Sequence, residues 1–141
     1  MLFIASVYNR YMTKSDKLKG TLLEDFIPLG KKTKVTELQT IDFLVGTGEE
    51  APVGSTITAH YTGALAVDGV IFESSKDSGR PATFGLHQVI DGWTVGVPGM
   101  KVGGRRRLII PSDMAYGHRR ASAQIAPNSD LVFDIELIAV K

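Results

Sequence analysis

The chain has 141 residues, 43% of them hydrophobic and 22% charged, with a formal net charge of +1. Those proportions fit one soluble globular domain rather than a disordered chain, and the balanced charge gives no global reason to expect nucleic acid or a membrane as partner. The lack of cysteine excludes disulfides, thiolate nucleophiles and cysteine-ligated metals together.

The first residues, Leu2-Phe3-Ile4-Ala5-Ser6-Val7-Tyr8, are apolar, but the run is short and no basic stretch precedes it. A signal peptide needs a charged start and a longer apolar core. No run approaches the roughly 18 apolar residues expected of a membrane span. A cytoplasmic protein is expected, with the periplasm or an organelle left open to a chain whose targeting segment has been removed. Residues 1–40 are expected to be an extension, flexible or partly docked, in which Lys14, Lys17, Lys19, Lys31, Lys32 and Lys34 cluster. Within it, Thr21-Leu22-Leu23-Glu24 has the Ser/Thr-x-x-Glu spacing of a capping box and predicts a short helix near Thr21–Phe26, which Pro28-Leu29-Gly30 would end.

From Ile41 onward the pattern is mostly of period two. Ile57, Ala59 and Tyr61 share one face of a run from Thr56 to Thr62, and Leu131, Phe133, Ile135 and Leu137 share one face of the last twelve residues. Such alternation predicts strands that cover a core on one side only. Arg105 to Ile110, basic and then apolar, suits another strand after the Gly103-Gly104 turn. Further turn signals stand at Gly46-Thr47-Gly48, Asp68-Gly69, Asp77-Ser78-Gly79 and Pro127-Asn128. Between these runs Ile90, Trp93 and Val97 recur at helical spacing, which predicts a short helix from Ile90 to about Val97, with Asp91 near its positive end and Pro98-Gly99 as its stop. The fold class is α+β, an antiparallel sheet wrapped around one short helix.

Several enzyme signatures fail. Gly99-Met100-Lys101-Val102-Gly103-Gly104 has the glycine spacing of a phosphate loop, but Arg105-Arg106 follows where Lys and Ser/Thr are required, and Gly46-Thr47-Gly48 meets Ala51 where a dinucleotide fingerprint needs a third glycine. His60, His87 and His118 lack metal-ligand spacing, so no metal is expected. No Gly-x-Ser-x-Gly elbow is present. In Arg105-Arg106-Arg107, strand alternation puts Arg105 and Arg107 on the solvent side and Arg106 opposite. With His118-Arg119-Arg120 these are read as solvated surface charge rather than a nucleic-acid face.

The aromatic strings carry the strongest signal. In order they are His60-Tyr61-Thr62-Gly63, Phe72-Glu73-Ser74-Ser75, Val89-Ile90-Asp91-Gly92-Trp93, Met114-Ala115-Tyr116-Gly117 and Leu131-Val132-Phe133-Asp134. Each alone is ordinary core beside a turn. Together, across Ile41–Lys141, the chain resembles the FKBP family of peptidyl-prolyl cis-trans isomerases, nearer the bacterial macrophage-infectivity-potentiator branch. The resemblance implies an FKBP-like half-barrel sheet around the helix and a shallow apolar pocket. In it Trp93 forms the floor, Tyr61, Phe72 and Phe133 the walls, and Val89 and Ile90 the helix mouth, with Phe84 among the binding residues. It further implies that the Ile90 N–H and the Tyr116 hydroxyl reach a bound carbonyl, that the carboxylate of Glu73 bonds neighbouring pocket side chains, and that Ile125 overhangs the pocket.

The implied substrates are X-Pro bonds of polypeptides with apolar X, the implied ligands the macrolides FK506 and rapamycin, and no cofactor is called for. A monomer is expected. Three departures stand out. Glu73 replaces the usual Asp, Ala82 replaces a wall aromatic, and Ala121–Pro127 lacks the usual Gly-rich, Ile-Pro-Pro character. Ala82 fits the potentiator-type branch, whereas Glu73 and the altered 121–126 loop leave a second reading open, an FKBP-like binding or chaperone module that holds proline peptides with little turnover.

Overall fold

The longest alternating stretch becomes the spine of a single antiparallel sheet. The computed structural model describes residues 17–141, so Leu2–Tyr8 and Lys14 lie outside the described residues. The strands are β1 (Gln39–Leu44), β2 (Thr56–Leu65), β3 (Ile71–Ser74), β4 (Ala82–Gly85), β5 (Arg105–Ile110) and β6 (Leu131–Val140), with one helix, α1 (Asp91–Gly96), and 3-10 turns at Ser75–Asp77 and Ser112–Met114. The order across the sheet is β1-β5-β6-β2-β3, with β4 also paired to β2. One edge of β2 is therefore shared. Thr56–Ala59 pair with β4 and Thr62–Ala64 pair with β3, so no strand covers His60 and Tyr61 on that side. The same strand pairs with β6 from Ile57 to Leu65 on its other edge.

Helix α1 lies across the inner face. It follows the 90–97 spacing closely, with Ile90 as N-cap and Val97 as C-cap. Its small residues allow the close approach, since a Cβ on Gly92 would stand 2.6 Å from the Ile110 side chain and one on Gly96 2.9 Å from that of Leu108. The main core fills the space between helix and sheet with Ile57, Ala59, Leu108, Ile110, Leu131, Ile135 and Leu137 around Trp93 and Val97, as alternate-face burial requires.

Three expectations are corrected here. The sheet is not covered on one side only. A second cluster, Leu23, Val35, Ala64, Ala66, Ile71, Ile109 and Val132, with Leu18, Phe26 and Leu29 packed on it, buries part of the outer face. Second, no helix forms near Thr21–Phe26. The segment instead runs as a strap along β3, with the Leu23 N–H donating to the Gly69 carbonyl, the Gly20 N–H to Ile71, and the Ile71 N–H back to Thr21, and with an isolated bridge between Leu22 and Val70. A helix of one and a half turns has little intrinsic stability, and here it would withdraw Leu23 from the cluster and leave the β3 edge bare. Third, Arg107 is not solvated surface charge. It points to the outer face as alternation predicts, but the strap covers it, leaving it 4% exposed. Its guanidinium is satisfied by the Asp134 carboxylate (2.6 and 2.8 Å) and by the carbonyls of Asp25 and Glu24, and it lies over the Phe26 and Phe43 rings. Arg106 faces the other way, to Asp42 and to the Gly96 carbonyl at the end of α1.

Candidate functional site

Where the inner face meets the start of α1, four aromatic rings converge. Trp93, 4% exposed, is met edge-on by Tyr61 (5.5 Å between centroids, 80°), Phe84 (5.1 Å, 70°) and Phe133 (5.4 Å, 85°). Tyr61 and Phe84 also stand edge to face at 5.5 Å. Such T-shaped contacts hold rings in fixed relative orientations, so the indole is braced by strands β2, β4 and β6. The rings form the base of a cavity of about 810 Å³.

Each predicted residue has a definite place. Tyr61, Glu73, Phe84, Val89, Ile90, Trp93, Tyr116 and Phe133 all line this cavity. Phe72 does not line it but stands behind, its ring against Phe133 at 5.7 Å and 86°. Ile125, 4% exposed, packs into the main core and is also absent from the cavity lining. Residues that sequence reasoning did not single out as site residues complete the lining: Gln88 and Asp91 flank the helix mouth, and Asp113, Ala115, Gly117, His118 and Arg119 belong to the loop around Tyr116. The only signal for these was adjacency to Val89, Ile90 and Tyr116.

Polar groups are few and directed. The Tyr61 hydroxyl donates to Glu73 Oε1 at 2.8 Å across the β2–β3 pair, so the longer Glu side chain keeps a hydrogen bond to the pocket wall. Burial first, then this bond and the negative charge of Glu73, push the Tyr61 phenol far above its ordinary range. Burial and the Glu73 charge raise Tyr116 as well. Both are therefore neutral donors at physiological pH. Tyr116 is 40% exposed. Its loop is held by the Gly117 N–H to the Ser112 carbonyl and the Asn128 N–H to the Gly117 carbonyl, and by Asp130, which accepts from the N–H groups of Ser112 and Val35. At the helix mouth the Ile90 carbonyl accepts from Trp93 and Thr94, while among the described residues no acceptor takes the Ile90 N–H. The cavity thus offers an apolar base with a phenol and a backbone donor at its edge, suited to a compact apolar group beside a carbonyl.

A second cavity, about 680 Å³, lies on the opposite face under residues 18–25. Two of its charged groups, Arg107 and Asp134, are bound to each other, and Arg106 is held by Asp42. Among the described residues, no group of His, Cys, Asp and Glu could hold a metal ion, and no helix is long and apolar enough to cross a membrane.

Comparison with known proteins returns one consistent family. A family profile described as FKBP-type peptidyl-prolyl cis-trans isomerase matches residues 47–138. The chain is 48% identical over 101 residues to an FK506-binding protein of Neisseria meningitidis serogroup A, covering 70% of this chain and 92% of that one. It is 39% identical over 115 residues to the outer membrane protein MIP of Legionella longbeachae, covering 82% of this chain and 46% of that one. The chain spans about half the length of the longer curated relatives that it matches. Among solved structures, a peptidyl-prolyl cis-trans isomerase from Pseudomonas syringae superposes with a TM-score of 0.67 at 40% identity, covering 74% of this chain and 75% of that one.

Proposed function

This chain belongs to the FKBP-type peptidyl-prolyl cis-trans isomerase family, and from that membership we propose that it accelerates rotation about X-Pro bonds in polypeptides during folding. The observation that carries the reading is the braced ring of Tyr61, Phe84 and Phe133 around Trp93, with the Tyr116 hydroxyl and the Ile90 N–H at its edge.

The chemistry follows from the amide. Resonance holds the bond planar against a rotation barrier of roughly 18–20 kcal/mol, and free X-Pro bonds exchange over tens to hundreds of seconds. The planar form separates charge and is favoured by water; the twisted form has lost that resonance. An aromatic cavity that strips water from the amide raises the planar form relative to the twisted one, which is preferential binding of the transition state.

In this reading the proline ring rests on Trp93 between Tyr61, Phe84 and Phe133, and Phe72 backs the Phe133 wall. Val89 and Ile90 form the lip, and the Ile90 N–H and Tyr116 hydroxyl hold the substrate carbonyls. Glu73 fixes Tyr61, and Ile125 supports the loop from the core. Apolar X is preferred. FK506 and rapamycin are proposed ligands of the same cavity, in keeping with the name of the Neisseria relative.

A binding or chaperone module without turnover is a second reading, favoured by Ile125 of the altered 121–126 loop packing into the core rather than lining the cavity. One assay separates the two. Turnover of an apolar-X-Pro peptide that falls at least tenfold in Phe133→Ala, and is blocked by rapamycin, supports the isomerase. A folded parent that binds the peptide without turning it over supports the module. The working form is proposed to be a monomer, checked by sedimentation. A cytoplasmic location is the expectation against which the outer-membrane name of the Legionella relative is set, and fractionation of expressing cells decides it.

A further inference from the structure

The gap in the β2 edge falls at the residue that carries the pocket phenol. Strand β4 releases β2 after Ala59, and β3 takes it up only from Thr62. The backbone of Tyr61 lies in between and has no strand partner on that side. The group that serves it is a side chain. Ser75, 6% exposed, lies one residue beyond the end of β3, where the chain leaves the ladder for its 3-10 turn. Its Oγ accepts the Tyr61 N–H at 2.8 Å and donates toward the Tyr61 carbonyl at 3.3 Å. The same Oγ is 2.8 Å from His60 Nδ1, whose ring lines the outer cavity.

We infer that Ser75 is a positioning residue for the reaction, holding Tyr61 from its backbone so that the phenol on the other side of the strand meets Glu73, with His60 fixing the Ser75 hydroxyl. The inference rests on the isomerase reading of the cavity. Tyr61 and Glu73 are then tied twice, by their side chains at 2.8 Å and by a side chain two residues after Glu73 that closes the backbone gap. Without the Ser75 hydroxyl, the Tyr61 N–H is left unpaired beside the core and its carbonyl keeps only the 3.4 Å bond from Ser74. The strand can then shift to find other partners, and the phenol moves off the carboxylate. Ser74 plays a smaller part, reaching the Tyr61 carbonyl from its Oγ at 3.4 Å and leaving the Tyr61 N–H to Ser75 alone. It sits within the ladder opposite Thr62, bonded to the Thr62 hydroxyl at 2.9 Å.

The test compares Ser75→Ala and Ser75→Thr, each in the parent and in a Tyr61→Phe background, with an apolar-X-Pro peptide. Ser75→Ala should lower kcat/KM by about three- to tenfold, the weight of one neutral hydrogen bond, and Ser75→Thr should restore it. In the Tyr61→Phe background, which has no hydroxyl to place, the loss should shrink to less than twofold. An equal loss in both backgrounds would mean general damage and would overturn the inference, as would no loss in the parent.

A second readout needs no turnover. The ionisation of Tyr61, followed as the absorbance difference from Tyr61→Phe, should move to lower pH in Ser75→Ala and return in Ser75→Thr. A parent that does not isomerise the peptide defeats the isomerase reading alone, whereas an unmoved Tyr61 titration in folded Ser75→Ala defeats the positioning role. If Ser75→Ala does not fold, His60→Ala takes its place. It should lower both kcat/KM and the pH of Tyr61 ionisation, and a variant that moves neither overturns the inference.

Discussion

Tyr61 is where packing and chemistry meet at the scale of one residue. Its ring braces Trp93 while its hydroxyl donates to Glu73, and the protein holds it neutral well past the pH at which a free tyrosine ionises. The consequence for stability has a definite sign. The unfolded chain releases this proton near pH 10, whereas the folded chain retains it. The folded state therefore binds the proton more tightly, and the stability it confers is complete below pH 10 and lost as pH rises above it. Urea midpoints should fall more steeply above pH 10 in the parent than in Tyr61→Phe. A Tyr61 that ionises near pH 10 in the folded protein would remove the argument. The family resemblance of the aromatic strings, rather than any local pattern, put Tyr61, Phe84, Trp93 and Phe133 around one pocket, and it also put Phe72 on a wall, where the ring instead stands behind Phe133. Asp91, Asp113 and Arg119 were not legible in the sequence, because a charged residue beside a pocket has the same sequence signature as one on any solvated surface, and only the chain path brings these to one mouth.

At the scale of elements, α1 shows which local signals survive folding. Ile90, Trp93 and Val97 predict a short helix, and α1 forms between Ile90 and Val97 because that face has a core to enter. The capping-box spacing at Thr21-Leu22-Leu23-Glu24 predicts a helix equally well, yet the segment runs as a strap bonded to β3, since the β3 edge and the cluster around Leu23 offer more than a short helix can. Nothing local distinguishes the two cases; what differs is the surface each segment meets. Seating the helix also depends on glycines. Replacing Gly92 by alanine gains up to about 1 kcal/mol of helix propensity, but its Cβ would fall 2.6 Å from the Ile110 side chain, and such overpacking costs about 1–3 kcal/mol. We expect Gly92→Ala to destabilise by about 1–2 kcal/mol in urea unfolding, with Val95→Ala, on the exposed face of the same helix, within about 0.5 kcal/mol of the parent. A stabilised Gly92→Ala would show that the helix can lift from β5 without cost.

The whole molecule is a sheet with a different load on each face, an aromatic cavity inside and a strap latched by Arg107 outside. Only the inner face was legible in the sequence, because its apolar residues alternate. On the outer face the covering chain comes from residues 18–35, remote in sequence from β5 and β6, and Arg107 reads as surface charge until Asp134, Phe26 and Phe43 are brought around it. Removing the guanidinium would leave Asp134 without its cation and the Asp25 and Glu24 carbonyls without donors, so Arg107→Ala should cost about 3–5 kcal/mol, a fall in Tm on the order of 10 °C. Rapamycin in the inner cavity should act in the opposite direction, adding about 2.7 kcal/mol at a free concentration one hundred times its Kd. The two loads rest on opposite faces and share no partner, so their effects should add. The stabilisation by rapamycin, converted from Tm to free energy, should be the same in the parent and in Arg107→Ala to within about 0.5 kcal/mol. An increment markedly smaller in the variant would mean that the strap helps to shape the aromatic cavity through the sheet, and the two faces would then have to be treated as one coupled unit.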